Sequence, residues 1–293
     1  MIDEVLTLVN ARHHGALSLL QRYADGEQGA YLVTDPLGNQ YVLKWHPGKD
    51  ALHRLRFARA VTGCLCQMRY PAPVCRMIGT MRDSTYWVQT ALPGQPLAHQ
   101  ACLIPQLLPR LLALHELHVG RAPANSPDVW PDEVVRTVLV GGDGYCLHHA
   151  LREHSTTTRD LLRALQALVV IHRTAIPLRH DIVHFDFQPM NVLVEGETIS
   201  GVVDWDGARA GDAAFDLATL LFYTYDDEQA RAALWARGLA MTTPGAFAIY
   251  LAHIILRQVD WSLRLHDAPI SIRYIARGQA ILRDALSWLG NLD

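Results

Sequence analysis

The chain has 293 residues, 50% of them apolar, and 26 basic against 29 acidic side chains leave a formal charge of −3. That balance excludes a basic nucleic-acid footprint and a like-charged disordered tail, while the length supports one large core or two smaller ones. No apolar run approaches the ~20 residues that span a bilayer, and the opening MIDEVLTLVNARHH carries acids where a secretory leader carries bases, so a cytoplasmic protein is expected.

Residues 1–20 read as a helix on Val5, Leu6, Val9, Ala16, Leu17 and Leu20, a partial 3.6 period weakened by Gly15. From Tyr23 the pattern changes to strand, turn, strand, with Asp35-Pro36-Leu37-Gly38-Asn39 as the turn and Gly26 and Gly29 bracketing a backbone loop before it. A helix over 50–68 rests on Leu52, Leu55, Phe57, Ala60, Val61 and Leu65, and Tyr70-Pro71-Ala72-Pro73 ends it because proline removes donors and restricts its predecessor. Strands over 74–77 and 85–92 complete a small antiparallel sheet. Pro93-Gly94-Gln95-Pro96 then punctuates the chain, which places a boundary between 1–94 and 95–293.

Beyond Leu97 the period is mostly helical, clearest over 103–118 and 159–173, with further helices expected over 215–225, 244–265 and 271–289. Gly120 to Gly144, rich in Pro, Gly and Asp, reads as a long connection. Five cysteines (Cys64, Cys66, Cys75, Cys102, Cys146), odd in number and without a second paired cluster, indicate neither a disulfide framework nor a zinc site. The histidine pairs His13-His14 and His148-His149 lack a nearby third ligand at metal spacing.

The chemistry concentrates between Ile182 and Ala218. Asp186, preceded by His184 and followed five residues later by Asn191, sits between apolar runs, and a second run, GVVD, delivers Asp204. The segment from Asn191 to Val203 reads as a hairpin, out along one strand and back along another, which brings those side chains toward one end. An acid that orients a hydroxyl, beside oxygen ligands for a hard cation on phosphate, is what such a set suits.

A β-rich part, a linker and a helical part carrying H-F-D-F-Q-P-M-N and then V-V-D-W-D resemble the aminoglycoside phosphotransferase family of kinase-like small-molecule antibiotic phosphotransferases. The resemblance covers nearly the whole chain. It implies an α+β, bilobal protein-kinase-like fold, with a small antiparallel β-sheet N-lobe over 1–94 that binds nucleotide and a larger, mainly helical C-lobe over 95–293. It also implies an O-phosphotransferase dependent on ATP or GTP and on Mg²⁺. The acceptor would be a hydroxyl of a small cationic antibiotic, an aminoglycoside or a basic cyclic peptide such as a tuberactinomycin, so that the chain would confer resistance. No nucleic-acid or membrane partner is implied, and the chain would be a monomer or homodimer.

Residue by residue, the resemblance makes Asp186 the catalytic acid that accepts or orients the hydroxyl proton, and Asn191 and Asp204 the metal ligands. His184 and Asp216 would brace the catalytic loop. Gln188 stands where protein kinases place a lysine, which favours the small-molecule branch. Lys44 in YVLK would contact nucleotide phosphates, Gly26 and Gly29 would cover them, and the backbone of Gln89 to Leu92, Gln89 and Ala91 included, would meet the base. Asp206 is a second acid at the site or a solvated loop residue. By charge, Asp226, Asp227, Glu228, Asp260 and Asp293 are candidates for a cationic acceptor.

One departure from the family pattern is plain. A glutamate on the helix after the lysine strand would pair with Lys44, yet no acid occurs between Asp50 and Asp83, and the helix carries Arg54, Arg56 and Arg59 instead. Asp50 or an acid from elsewhere takes that role, or the nucleotide alone holds Lys44. The alternatives to antibiotic modification are a metabolic kinase for a sugar or amino alcohol, a macrolide kinase, an inactive nucleotide-binding module, and a metal-dependent hydrolase using the same acids.

Overall fold

The structure, a computed structural model, describes residues 2–23, 29–48, 51–124, 129–142 and 145–290. In chain order, α1 (Ile2–His13) precedes β1 (Ser18–Arg22), β2 (Ala30–Thr34), β3 (Gln40–Pro47), α2 (Ala51–Gln67), β4 (Cys75–Met81), β5 (Ser84–Thr90) and a two-residue β6 (Gln95–Pro96). There follow α3 (Ile104–Glu116), α4 (Trp130–Val140), α5 (His149–His154), α6 (Thr156–His172), β7 (Asp181–Val183), β8 (Val192–Glu195), β9 (Thr198–Val202) and β10 (Arg209–Gly211). Helices α7 (Ala214–Thr224), α8 (Glu228–Met241), α9 (Pro244–Leu265) and α10 (Ala268–Gly290) close the chain.

The chain divides into two compact units, Met1–Gln100 with Met190–Ala208, and Ala101–Pro189 with Arg209–Asp293. The backbone therefore passes between them more than once, which differs from the single boundary after residue 94. The β8–β9 hairpin belongs to the first unit, where it forms a three-stranded sheet with β6: Gln95 and Pro96 pair with Val194 and Leu193, and Val202 N–H donates to the Pro71 carbonyl at 2.7 Å. Gly94 allows this close pairing. It has φ 107, and a Cβ there would stand 2.6 Å from the Val194 carbonyl oxygen.

In the first unit the sheet runs β1-β2-β3-β5-β4 with antiparallel neighbours. Val5, Leu6 and Val9 of α1 pack on one face with Tyr31, Val33, Leu43, Tyr86 and Val88. Each fully buried aliphatic side chain there contributes ~1.5–3 kcal/mol. The period of two turns Lys44, His46, Trp87 and Gln89 to the opposite face. Helix α2 packs on β4 and β5 and buries Leu55, Ala58, Val61 and Leu65, three- and four-residue steps that place them on one stripe.

Helix α1 stops at His13, short of the expected residue 20. His14 takes φ 50, and the Asn10 side chain accepts from Leu17 N–H at 2.8 Å while donating to the Leu17 carbonyl at 2.9 Å. This clasp turns the chain, and Ser18–Arg22 join β2 as an edge strand. Sheet pairing thus overrides a weak helical period. The β2–β3 turn follows its residues as read: Asp35 Oδ1 accepts from Leu37 N–H and Asn39 N–H, each at 2.9 Å.

The second unit is built on α9, most of whose 22 residues are buried against α4, α5, α6, α7, α8 and α10. Strands β7 and β10 pair antiparallel, Ile182 opposite Ala210, and the loop carrying Asp186 leaves the end of β7. Asp181 anchors that strand, accepting from Gly120 N–H at 2.7 Å and Ala213 N–H at 3.1 Å. The supposed connection from 120 to 144 holds α4, whose Trp130, Val134 and Val138 are buried at four-residue spacing with Pro131 in the first turn. Its Gly- and Asp-rich flanks hid a short helix. Among the described residues no helix is long and apolar enough to cross a membrane.

Candidate active site

In the first unit, β3 carries Lys44 and His46 two residues apart on the face opposite α1, and the β8–β9 hairpin carries the acids. Lys44 Nζ donates to Asp204 Oδ1 at 2.8 Å and to Asp206 Oδ2 at 3.3 Å. His46 Nε2 lies 2.9 Å from the same Asp206 oxygen. Burial alone would lower the Lys44 pKa, but the two carboxylates outweigh it and hold the ammonium above its ordinary value. Burial likewise works to raise Asp206, and the Lys44 charge together with the His46 contact lowers it below the usual carboxylate range.

The hairpin sets this geometry. Val192 pairs with Val202, and Val203 N–H donates to the Asn191 carbonyl at 2.9 Å, so Asn191 and Asp204 stand at the same hairpin end. Asp204 has φ 68, an unusual backbone for a residue other than glycine. The next side chain, Trp205, is wholly buried, donates from its indole to the Val202 carbonyl at 2.8 Å and meets Tyr70 edge-on at 5.7 Å. It wedges the turn, so the acids on either side project together toward Lys44.

Asp206 and Asp204 are thus the acids that pair with Lys44, one of the alternatives the sequence left open; Asp50 lies outside the described residues, as do Gly26 and Asp293. Gly29 has φ 68 just before β2. In the linker, Gln89 is buried in β5, and Ala91 N–H donates to the Gln40 carbonyl at 3.1 Å. The Ala91 N–H is therefore engaged within the sheet.

In the second unit, residues 184–186 are held from three sides. Asp216, at the start of α7 and fully buried, accepts from His184 N–H at 2.8 Å and Phe185 N–H at 3.0 Å. His184 Nδ1 accepts from Asp186 N–H at 3.3 Å. Phe185 takes φ 74, and its ring stacks on Phe215 with centroids 5.2 Å apart. His118 Nδ1 lies 3.5 Å from Asp216 Oδ2, and His115 donates from Nε2 to the Ala213 carbonyl at 2.9 Å. Burial tends to raise the Asp216 pKa, but His118 and the neighbouring histidines bring it below the ordinary value. Burial, aided by His118, lowers His115 to about 4, so it is neutral and carries its proton on Nε2.

The Asp186 carboxylate is itself gripped at both oxygens. Arg257 Nη2 of α9 donates to Oδ1 at 3.0 Å, and Gln188 Nε2 donates to Oδ2 at 2.9 Å. A backbone pinned by Asp216 and a side chain clamped between two donors aim this acid in one direction.

The acceptor candidates separate. Asp227 caps α8, accepting from Ala230 N–H at 2.8 Å; Asp226 is exposed and pairs with Arg277; Glu228 is exposed in the first turn of α8. Asp260 is a correction: it is buried in α9 and paired with Arg264 at 2.9 Å, so its charge is neutralised inside the fold. Sequence reasoning missed His46, His115, His118 and Arg257. A signal existed for Arg257, the first full charge after the largely apolar first half of α9, and for His115 and His118, which recur at three residues on α3 and the turn after it.

Solved structures share this fold. A thermostable mutant of aminoglycoside phosphotransferase APH(4)-Ia in its apo form matches with a TM-score of 0.72 at 19% identity, over 95% of this chain and 98% of that one. The APH(3'')-Id enzyme of Streptomyces rimosus, in complex with ADP and streptomycin, matches with a TM-score of 0.59 at 18% identity, over 88% of this chain and 99% of that one. The fold is that of the aminoglycoside phosphotransferases. The model of the phosphotransferase enzyme family matches residues 20–250, and the chain belongs to that family. A curated relative, the hygromycin-B 4-O-kinase of Escherichia coli, is 22% identical over 223 residues, which span 71% of this chain and 63% of the relative.

Proposed function

We propose that the chain transfers the γ-phosphoryl group of ATP to a hydroxyl of a small cationic antibiotic of the aminoglycoside type, inside the cytoplasm where nucleotide is abundant. The observation that carries this reading is the Asp186 carboxylate, clamped at both oxygens at the end of a loop that Asp216 pins. Relatives support the rest: a mutant of APH(4)-Ia has been solved as a ternary complex with ADP and hygromycin B, and another with AMP-PNP and hygromycin B.

The donor set fits magnesium. Asn191 and Asp204 offer an amide and a carboxylate oxygen from one hairpin end, with Asp206 beside them, all hard oxygen ligands and no sulfur or imidazole in the set. Magnesium held there would neutralise phosphate charge and polarise the transferring group. Lys44, now on Asp204 and Asp206, supplies a point charge for the nucleotide phosphates.

In the transfer, the acceptor hydroxyl oxygen forms a bond to the γ-phosphorus as the bond to the bridging oxygen breaks, and that electron pair leaves with ADP. Asp186 orients the hydroxyl and receives its proton, then releases it to solvent. No covalent enzyme intermediate is needed, so catalysis is positioning and charge stabilisation.

Purified chain, radiolabelled ATP and a panel of hygromycin B, streptomycin and a tuberactinomycin test the reading. Transfer to one of them is expected, and Asp186→Asn should lower it by at least ~10²-fold while nucleotide still binds. Near-wild-type turnover in that variant, or no transfer to any cationic antibiotic, overturns the proposal.

A further inference from the structure

We infer that Arg257 is a positioning residue for phosphoryl transfer, a guanidinium delivered from α9 to Asp186 where the catalytic loop itself offers only the neutral Gln188. The inference rests on the reading of Asp186 given above and extends it to a residue that no loop motif contains.

Arg257 makes three contacts on one short stretch. Nη1 donates to the Phe185 carbonyl at 2.6 Å, Nη2 donates to Asp186 Oδ1 at 3.0 Å, and the guanidinium carbon stands 4.9 Å from the centre of the Phe185 ring. A rigid planar fork is the group that can grip a carbonyl and a carboxylate together; an ammonium is a single point. Phe185 needs such a grip, because φ 74 is a rare conformation for an aromatic residue, and it is held here with its N–H on Asp216 and its carbonyl on Arg257. Arg257 thus sets both the direction of the peptide before Asp186 and the orientation of the carboxylate.

Its burial shows that the charge is matched to this place. The Arg257 and Asp186 side chains are 21% and 22% exposed, so each charge relies on the other for much of its stabilisation. Burial acts to depress the arginine pKa, and the Asp186 charge overcomes it, so the guanidinium stays protonated. It neither gives nor takes the hydroxyl proton. Gln188 completes the arrangement on the other oxygen at 2.9 Å, a hydrogen bond without a charge.

The test compares wild type, Arg257→Gln, Arg257→Lys, Gln188→Lys and the double variant Arg257→Gln/Gln188→Lys. Transfer to the antibiotic panel, nucleotide hydrolysis without acceptor, and melting temperature are measured on each. Arg257→Gln should lower kcat by ~10²-fold with KM for nucleotide within about twofold, the pattern of a group that acts in the transition state. Arg257→Lys should recover only part of that loss, because a point charge restores the cation on Asp186 but not the simultaneous grip on the Phe185 carbonyl. The double variant, which returns a cation to the loop, should regain at least about tenfold over Arg257→Gln, a recovery that a purely structural role would not produce.

A kcat for Arg257→Gln within about threefold of wild type overturns the inference. So does a fall in kcat that simply follows a lost melting transition and is restored by neither lysine variant. Hydrolysis separates the two ideas: if no antibiotic is phosphorylated but hydrolysis shows the same losses and recovery, the acceptor reading fails and Arg257 keeps its role. A wild type with neither transfer nor hydrolysis overturns both.

Discussion

Asp206 Oδ2 is shared by two side chains of one strand, Lys44 at 3.3 Å and His46 at 2.9 Å, with Asp204 taking the other Lys44 contact at 2.8 Å. Residues two apart on β3 share a face, so this arrangement is a direct result of strand periodicity meeting the turn at Trp205. It supplies the lysine with acids although α2 has none on its early turns.

Asp206→Asn should therefore weaken both stability and catalysis. Removing one partner from a largely buried cluster, while Asp204 remains, is expected to cost about 1–2 kcal/mol. The kcat/KM for nucleotide should fall about tenfold as Lys44 loses its second anchor. Thermal melts and steady-state kinetics check this. Because the folded Asp206 pKa lies below its unfolded value, its contribution is present above about pH 4 and is lost as pH falls through the folded pKa, so the variant should show a shallower acid transition. An acid transition as steep as that of the wild type would contradict the arrangement.

His115 produces a second pH dependence. Its folded pKa of about 4 lies below the ordinary 6.5, so between those values the unfolded chain binds the proton that the folded chain excludes. Stability then rises with pH across that window and falls on acidification from 6.5 toward 4, by up to roughly 3 kcal/mol from this group. His115→Gln keeps a donor for the Ala213 carbonyl but cannot charge, so denaturant midpoints measured from pH 7 to pH 4 should decline less steeply in the variant.

The acceptor-candidate acids on α8 and α9 separate by role. Asp227→Ala removes the cap on Ala230 and should destabilise by ~1 kcal/mol, visible in a urea melt, whatever happens to acceptor binding. Asp260→Asn leaves Arg264 without its buried partner and should lower the melting temperature while leaving the acceptor KM within about twofold. An acceptor KM that rises severalfold in the Asp260 variant at unchanged stability would restore that residue to the acceptor site.

Much of this protein is determined by local sequence. The β2–β3 hairpin, the β8–β9 hairpin and helices α2, α6, α7, α9 and α10 follow from short-range signals, namely turn residues, proline stops and apolar period, which act within a few residues of one another. The order Lys44, Asp186, Asn191, Asp204, Asp216 likewise lies along the chain and is legible there. What only the tertiary structure decided are the pairings over long separations: Lys44 with Asp206, Arg257 with Asp186, His118 with Asp216. It also decided that Ser18–Arg22 join a sheet edge and that Asp260 is buried. A one-dimensional pattern records which face a side chain takes within its own element, but a charge finds its counter-ion through burial, where desolvation forces a partner from whatever segment the fold brings near.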